Sequence, residues 1–262
     1  MNTIREALSE SLGAYADKVA VSVYDTLDST NTLAKERAAE QEPALYVARA
    51  QTAGRGRLGR TFHSPAHTGL YMTVAYTTDE PLTRAVRVTA LAAIAAVAAI
   101  EALTDKRPAI KWVNDIYLGG CKIGGILTEA VTRPDGTHRM IVGLGINLTT
   151  TEFPAGLRAP AASLFSPEET PAMGAHAFAD RLAGAIAGRL LDAVNRDCPA
   201  PLLSFYRDHL LYVGESVLCT RGSETFEATL LGVDDDYSLL VSTGEKTLTL
   251  SSGEISIRPV NP

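Results

Sequence analysis

A glycine- and arginine-rich loop, Gly54 to Arg60, constrains the fold more than any other stretch of this sequence. The loop has the spacing G-x-G-x-x-G and directly follows a run of strand-forming residues, Ala44 to Gln51. That spacing is typical of dinucleotide-binding folds only where a helix begins at the loop. Here Pro65 and Gly69 follow closely, and proline in a helix interior removes a hydrogen bond and clashes with the preceding turn. The sequence therefore argues against a dinucleotide-binding fold.

The chemistry of the loop predicts an anion-binding site instead. Arginine presents a planar set of donors that matches carboxylate and phosphate oxygens, and glycine allows close approach to backbone N–H groups. Lys111 and Lys122 interrupt apolar runs further along the chain. A lysine within an apolar strand is costly unless an anion meets it. The alternatives are a solvated basic turn for the loop and a wet face of the sheet for the two lysines.

Composition and charge narrow the class of protein. The 262 residues carry a net charge of −6, which argues against a broad duplex-binding surface. Cys121, Cys198 and Cys219 form no C-x-x-C pair, so we expect neither a disulfide framework nor a zinc site, and a reducing, cytoplasmic location. Met1 to Lys18 lacks the apolar core of a signal peptide. Ala90 to Ile100 is shorter than the ~20 residues of a membrane span, so we expect this stretch to form a buried helix.

Hydrophobic periodicity predicts an α+β chain in two parts. In residues 1–210 the predicted helices are a short one through Ile4, Leu8 and Leu12, then Thr32–Glu36, Leu82–Leu103, Ala175–Asp197 and Leu202–Leu210. The predicted strands there are Val19–Tyr24, Ala44–Gln51, Leu70–Tyr76, Ile110–Leu118, Cys121–Leu127 and Met140–Leu148, before a long proline-rich irregular segment, Thr149–Pro171.

In residues 211–262 the pattern changes to short strands separated by turns, which is typical of a small all-β barrel. The predicted strands are Ser216–Thr220, Thr225–Leu231, Ser238–Ser242, Lys246–Leu250 and Glu254–Arg258.

Six motifs resemble those of the biotin protein ligases, also called biotin–[acetyl-CoA-carboxylase] ligases. One motif alone is a weak signal, but the six occur in order over nearly the entire chain and are together highly specific. They are Ser29-Thr30-Asn31, Gln51 to Arg60, Lys111 to Asp115, Lys122 to Gly125, Gly143 to Asn147 and Gly253 to Ser256.

The resemblance implies a fold and a reaction. The fold is a class II aminoacyl-tRNA-synthetase-like mixed sheet with helices over residues 1–210, the catalytic biotin- and ATP-binding domain, and an SH3-like β-barrel over residues 211–262. The reaction uses ATP and Mg²⁺ to activate biotin as biotinyl-5′-AMP. A lysine of a biotin carboxyl carrier domain, part of a biotin-dependent carboxylase, then takes the biotinyl group.

The same resemblance implies roles for individual residues. The catalytic set is Arg55, Lys111, Asp115 and Lys122. The set that binds biotin and biotinyl-AMP is Ser29, Thr30, Asn31, Gln51, Gly54, Arg55, Gly56, Arg57, Lys111 and Gly124. The nucleotide set is Arg57, Arg60, Phe62, Asn114 and Asn147. Two roles stay open for Asp115, which either orients the acceptor lysine or helps to hold Mg²⁺; no other protein ligand for the metal is assigned.

Three departures from the family pattern carry expectations. Val113 stands where proline is usual, so we expect a looser turn before Asn114. Phe62 stands where tryptophan is common, so we expect weaker stacking on adenine. The N-terminal DNA-binding domain of the repressor-type members is not expected, so we predict neither a nucleic-acid nor a membrane partner. A homodimer formed through an exposed strand edge remains open.

Two other functions also remain open. The first is a lipoate ligase or octanoyltransferase of the same superfamily, because Cys121 lies beside Lys122 and some such transferases use a cysteine nucleophile. The second is a non-catalytic sensor of biotin or a nucleotide, which would bind its ligand without releasing pyrophosphate.

Overall fold

The computed structural model describes residues 2–37, 42–169, 171–196, 200–251 and 255–260. The helices are α1 (Asn2–Leu12), α2 (Thr30–Glu36), α3 (Ala85–Leu103), α4 (Ala175–Val194) and α5 (Ala200–Asp208). The earlier strands are β1 (Ala20–Leu27), β2 (Ala44–Gln51), β3 (Gly69–Thr78), β4 (Ala109–Lys111), β5 (Asp115–Leu118), β6 (Cys121–Thr132) and β7 (His138–Asn147). The later strands are β8 (Ser216–Arg221), β9 (Glu224–Val233), β10 (Leu239–Ser242), β11 (Thr247–Leu250) and β12 (Ile255–Pro259).

Two sheets organise these elements. The larger sheet has the order β1-β2-β3-β7-β6-β5-β4. It is mixed, because β1 and β2 are parallel and every other pair of neighbouring strands in this sheet is antiparallel. The smaller sheet has the order β11-β10-β9-β8-β12 and is antiparallel. The predicted mixed α+β architecture with a small C-terminal β domain is confirmed. Of the sixth motif, Gly253 and Glu254 lie outside the described residues, as does Cys198.

Strand alternation gives the two faces of the larger sheet different chemistry. On β3, Leu70, Met72 and Val74 belong to the main hydrophobic core, which includes buried residues of α3 and α4. Thr73, which points to the other face, contacts α2 through hydrogen bonds. Because side chains alternate along a strand, the polar and glycine positions of β3 and β7 collect on the α2 side. That side carries the candidate site.

The predicted helix Leu82–Leu103 is a core helix. It begins with a 3₁₀ turn, Leu82–Arg84, and continues as α3, whose buried residues pack against α4 and β6. By length and composition alone this segment could cross a membrane, but most of its apolar window is buried inside the protein. The sequence expectation of a buried helix is therefore consistent with the structure.

The prediction of a single strand over Ile110–Leu118 was wrong. The segment folds back on itself as β4 and β5, which pair antiparallel across a turn at residues 112–114. Asn114 fixes this turn on β6, because its carbonyl accepts the Ile126 N–H at 2.8 Å and its Nδ2 donates to the Ile126 carbonyl at 3.2 Å. The Trp112–Val113 peptide is cis. Asn114 thus anchors the end of the turn on β6, while the looser turn expected from Val113 stays a prediction.

The two sheets meet at this turn. The Trp112 indole Nε1 donates to the Tyr237 carbonyl at 2.9 Å in a buried contact. Arg207 on α5 donates to the Val233 carbonyl at 2.9 and 3.2 Å. These hydrogen bonds tie β4 and α5 to the smaller sheet, so the position of the turn depends on both parts of the chain.

Two glycines allow α4 to lie very close to α1. A Cβ on Gly184 would lie 2.6 Å from the Leu8 carbonyl oxygen, and one on Gly188 would lie 2.7 Å from the Leu12 carbonyl oxygen. Glycine in a helix interior is about 1 kcal/mol less favourable than alanine. The close approach of the two backbones explains why glycine is present at both positions.

We therefore expect Gly188→Ala to lower the free energy of unfolding by about 1–2 kcal/mol, because the overpacking penalty exceeds the gain in helix propensity. Urea denaturation followed by circular dichroism measures the change. Arg189→Ala, at the exposed neighbouring position of the same helix, is the matched control and should change stability by less than about 0.5 kcal/mol. A Gly188→Ala variant more stable than the parent would contradict this account of the α1–α4 contact.

Candidate active site

A cavity of about 930 Å³ opens on the α2 side of the larger sheet. Its walls come from α2, the Gly54–Arg60 loop, the β4–β5 turn, β6, β7, the segment 153–161 and the smaller sheet. The structure brings together most of the residues predicted from the sequence. Those on the cavity wall are Ser29, Thr30, Asn31, Gln51, Arg55, Gly56, Arg57, Arg60, Phe62, Lys111, Asn114, Asp115, Lys122 and Asn147.

Gly54 and Gly124, also predicted to bind substrate, are not on the cavity wall. A Cβ on Gly54 would lie 2.4 Å from the Phe62 carbonyl oxygen, and one on Gly124 would lie 2.8 Å from the Gly145 carbonyl oxygen. Packing against neighbouring backbone therefore explains both glycines. Gly125, the next residue of β6, lines the cavity instead.

One end of the cavity is neutral and polar. The Gln51 Oε1 accepts the backbone N–H of Thr30 at 2.9 Å, and the Gln51 Nε2 donates to the Ser64 hydroxyl at 2.9 Å. These contacts fix the orientation of the Gln51 amide. Ser29, at the N-cap position of α2, makes no side-chain capping bond. The Ser29-Thr30-Asn31 motif therefore builds the cavity wall and does not cap the helix with its side chains.

Three hydrogen bonds hold the Asn31 side chain at this polar end. Its Oδ1 lies 2.7 Å from the Thr73 hydroxyl, and its Nδ2 donates to the Leu127 carbonyl at 3.2 Å and to Glu129 Oε2 at 3.0 Å. A Cβ on Gly143 would lie only 2.0 Å from Asn31 Oδ1. The glycine on β7 is therefore needed for the Asn31 side chain to lie against the sheet.

Glu129, which sequence reasoning missed, connects the polar end to the Gly54–Arg60 loop. Its Oε1 lies 2.6 Å from Lys35 Nζ and 3.3 Å from Arg55 Nη2. Burial acts to raise the pKa of Glu129, but hydrogen bonds from Lys35 and Asn31 outweigh it, and the pKa ends below its ordinary value. Glu129 is thus an ionised carboxylate that holds Arg55 in place.

The opposite end of the cavity is cationic. Lys122 Nζ lies 2.6 Å from Asp115 Oδ1, which also accepts Asn114 Nδ2 at 2.9 Å. Arg57 Nη1 donates to Asn114 Oδ1 at 2.6 Å. This hydrogen bond joins the loop to the β4–β5 turn. It also brings the Arg57 guanidinium within the field of Asp115, which acts to raise the Arg57 pKa.

Burial lowers the pKa of two cations at this end. The pKa of Lys111 lies below its ordinary value because burial penalises the ammonium; Asp115 opposes this and Lys122 adds to it. Burial likewise lowers the pKa of Arg57, partly offset by Asp115, although an arginine stays charged in proteins. Burying these charges is unfavourable, and an anion in the cavity would relieve it.

Phe62 takes the space left by a second glycine on β7. A Cβ on Gly145 would lie 2.4 Å from Phe62 Cε1, and the Phe62 ring meets Tyr71 edge-on with centroids 6.5 Å apart. The ring is thereby fixed against the sheet while part of it lines the cavity.

Two parts of the cavity wall carried no sequence signal. The irregular segment after β7 contributes Phe153, Gly156 to Ala159 and Ala161, and it is held by hydrogen bonds between Lys122 and residues 160 and 162. The smaller sheet contributes Thr220 from β8 and Arg258 from β12. Neither follows from local patterning, because both depend on long-range packing.

The histidines do not form a metal site. His63 is exposed at the cavity, and His67 packs on His176 with ring centroids 4.8 Å apart. Among the described residues, no group of three or more histidine, cysteine or acidic side chains is placed to hold a metal ion.

The Glu129 contacts lead to a prediction about the loop. Glu129→Gln should speed tryptic cleavage after Arg55 and Arg57 by about threefold, because a partly exposed ion pair contributes up to ~1 kcal/mol and its loss loosens the loop. Mass spectrometry of the fragments measures the rate. Glu80→Gln, which removes an exposed ion pair with Arg84, is the matched control and should leave loop cleavage unchanged. Equal cleavage rates in all three proteins would show that Glu129 does not restrain the loop.

Comparisons with known proteins agree with this geometry. Residues 23–147 match the Biotin/lipoate A/B protein ligase family. The bifunctional ligase/repressor BirA of Bacillus subtilis is 34% identical over 244 residues, covering 89% of this chain and 73% of that protein. The biotin–[acetyl-CoA-carboxylase] ligase of Paracoccus denitrificans is 32% identical over 230 residues, covering 82% of this chain and 90% of that protein.

A solved structure shows the same architecture. The biotin protein ligase from Aquifex aeolicus in complex with biotin and ATP superposes with a TM-score of 0.73 at 25% identity, covering 92% of this chain and 99% of that one. Sequence relatives, structural neighbour and cavity all point to one family. The chain belongs to the biotin protein ligases of the biotin/lipoate A/B protein ligase family.

Proposed function

We propose that this protein is an ATP-dependent ligase that activates biotin and transfers it to a carrier protein. In the first step a biotin carboxylate oxygen attacks the α-phosphorus of ATP, and pyrophosphate leaves to give biotinyl-5′-AMP. In the second step a neutral lysine amine of the carrier attacks the acyl carbon, AMP leaves, and the amine loses a proton. The observation that carries the proposal is one cavity with a neutral polar end and a cationic end.

The polar end suits the uncharged ureido ring of biotin. That ring offers two N–H donors and one carbonyl acceptor, which neutral hydroxyl and amide groups can match. Ser29, Thr30, Asn31 and Gln51 supply such groups in fixed orientations. We assign these four residues to biotin.

The cationic end suits the reacting phosphate. Charge develops on the α-phosphate and its leaving group during adenylation, and fixed cations there supply most of the catalysis in such chemistry. Lys111, Arg55 and Lys122 are our catalytic cations, with Arg57 and Gly56 closing over biotin and its adenylate. Lys122 is paired with Asp115 in this structure, so the two must separate before Lys122 can contact a phosphate.

We place the nucleotide against Phe62, Asn147, Arg60 and Asn114. The part of the Phe62 ring on the cavity wall offers an aromatic surface for adenine. Asn147 lies at the cavity wall and donates to the Ala162 carbonyl at 3.1 Å, which connects the nucleotide region to the irregular segment.

The residues present do not fit a protein-held magnesium site. Among the described lining residues Asp115 is the one carboxylate, and Lys122 and Asn114 already occupy its Oδ1. Magnesium prefers several oxygen ligands and binds readily to nucleotide phosphates. We therefore assign Mg²⁺ to the phosphates of the ATP. Asp115 is left with the orientation of the acceptor lysine as its proposed role.

We propose a biotin carboxyl carrier domain of a biotin-dependent carboxylase as the partner, because the relative from Paracoccus denitrificans is named as a ligase of acetyl-CoA carboxylase. A cytoplasmic location is consistent with Cys121 and Cys219 as free thiols. We assign residues 1–210 to the catalytic domain and 211–262 to the small β domain. We propose no nucleic-acid partner for this chain, and a homodimer remains a hypothesis.

The rival acyltransferase with a cysteine nucleophile is less well supported. Cys121 does not line the cavity, whereas its neighbour Lys122 does. A Cys121→Ser variant should therefore transfer biotin at a rate within about twofold of the parent, since the thiol takes no part in adenylation.

The experiment that tests the function is to incubate the protein with MgATP and a carrier domain, in separate reactions with biotin and with lipoate, and to weigh the carrier. We expect the mass gain of one biotinyl group and release of pyrophosphate. A gain with lipoate alone would support the rival transferase. Biotin binding without pyrophosphate release or carrier mass gain would support a non-catalytic sensor.

Arg57 provides a test of the loop. We expect Arg57→Ala to bind biotin and biotinyl-AMP about tenfold more weakly and to release the adenylate early, because the variant loses the contact with Asn114 and a charge near the phosphate. Retention of radiolabelled adenylate on gel filtration measures this. Arg84→Ala is the control, because Arg84 is exposed and does not line the cavity. Full retention of the adenylate by Arg57→Ala would contradict the assigned role.

A further inference from the structure

The Lys111 and Lys122 ammonium groups have different neighbours at the cavity. Lys122 Nζ lies 2.6 Å from Asp115, so a carboxylate balances its charge in this structure. Lys111 Nζ instead lies 5.5 Å from the centroid of the Tyr117 ring and 6.0 Å from that of Tyr212. Lys111 makes no ion pair within the described parts of the chain, although the charge of Asp115 acts to raise the Lys111 pKa.

We propose that Tyr212, together with Tyr117, is a positioning residue that holds the Lys111 ammonium at the cavity without neutralising its charge. This inference rests on the proposed adenylation function and adds a residue that none of the six motifs contains. An aromatic ring within about 6 Å attracts an ammonium through its quadrupole. A ring carries no net charge, so the full positive charge of Lys111 stays available for an incoming carboxylate or phosphate.

The physical advantage follows from the burial of Lys111. A half-buried ammonium needs stabilisation, and a carboxylate would supply it at the cost of an ion pair that each turnover must break. The two rings stabilise the ammonium more weakly and need not be displaced. Both phenols are neutral near pH 7, because the ordinary pKa of tyrosine is about 10. Burial and Asp115 raise the pKa of Tyr117 further, and burial and Glu215 raise that of Tyr212.

The backbone fixes Tyr212 beside β4. The Leu211 N–H donates to the Ile110 carbonyl at 2.9 Å, and the Ile110 N–H donates to the His209 carbonyl at 2.7 Å. Tyr212 itself takes a left-handed conformation with φ of 68°. Tyr212 therefore directly follows a residue, Leu211, that is hydrogen-bonded to Ile110, the residue just before Lys111.

The same arrangement gives the smaller sheet a task. Lys111 contacts Tyr212 on the connection to β8, and the next residue, Trp112, donates to the Tyr237 carbonyl between β9 and β10. The last residue of β4 and the first residue of the β4–β5 turn are thus both contacted by the C-terminal part of the chain. That part of the chain therefore positions Lys111.

The test replaces Tyr212 with phenylalanine and then with phenylalanines carrying one and three ring fluorines, which keep the ring shape and progressively remove its attraction for a cation. We expect Tyr212→Phe to stay within about twofold of the parent in the kcat of pyrophosphate release. The trifluorinated ring should lower kcat by about tenfold relative to phenylalanine, with little change in the KM for biotin, since Lys111 acts on charge that develops in the transition state. A kcat that does not change with the number of ring fluorines would overturn the proposal.

Tyr15 offers the matched control. Its ring lies 5.7 Å from Lys18 Nζ, a contact of the same kind outside the cavity. The same fluorinated series at Tyr15 should leave kcat unchanged. A fall in kcat with fluorination at Tyr15 equal to that at Tyr212 would count against a specific role for Tyr212.

A second measurement does not depend on activity. The chain has six lysines, so isotope-labelled lysine gives few NMR signals, and Lys111→Arg assigns the one from Lys111. We expect ring currents to move the Lys111 Hε protons upfield in the parent and in Tyr212→Phe, and Tyr212→Leu to reverse part of the shift. Absence of the shift in the parent would overturn the contact. If the parent releases no pyrophosphate, the proposed function fails, while the NMR shift still decides whether the rings hold Lys111.

Discussion

The site depends on an excess of positive charge in a half-enclosed cavity. Seven cationic side chains line it, and Asp115 is the one carboxylate among the described lining residues. Like charges at short range repel one another, more strongly where protein replaces water. The loop, β4, β6, the irregular segment and the smaller sheet each contribute at least one of these cations. Keeping them together without a bound anion requires neutral or remote partners, and the surrounding structure supplies them.

Three kinds of partner hold cations of the cavity in place. Asn114 receives Arg57, Glu129 receives Arg55 from outside the cavity wall, and two tyrosine rings face Lys111. None of these partners places a new negative charge where the substrate phosphate would lie. Except at Lys122, whose ion pair with Asp115 must first separate, the anionic ligands enter a site whose charges are already in place. Oriented charges that need little rearrangement are the main source of catalytic power in adenylation.

The sequence predicted much of the architecture because the local patterns, such as proline positions and the spacing of motifs, agreed with the tertiary structure. Pro65 correctly excluded a helix after the loop, and the motifs predicted most of the cavity wall. The error at Ile110–Leu118 arose because an apolar run does not reveal a chain reversal; Asn114 makes the turn through contacts with β6, a different strand. Glu129 gave no signal because its role depends on partners about one hundred residues away. Tyr212 and Arg258 were missed for the same reason, since the packing of the two sheets decides their positions.

The two glycines on β7 have a consequence for ligand selection. Gly143 and Gly145 leave space beside the sheet, and side chains of the protein occupy it: Asn31 at the first position and the Phe62 ring at the second. The side chains of Asn31 and Phe62, which lie against the sheet, therefore limit the size of the cavity. The backbone of β7 beneath them does not. Shortening either side chain opens a hole next to bare backbone, which a ligand analogue with a matching added group could fill. The site is thus suited to engineering in which a variant with a shortened side chain recognises a biotin or nucleotide that carries a matching added group.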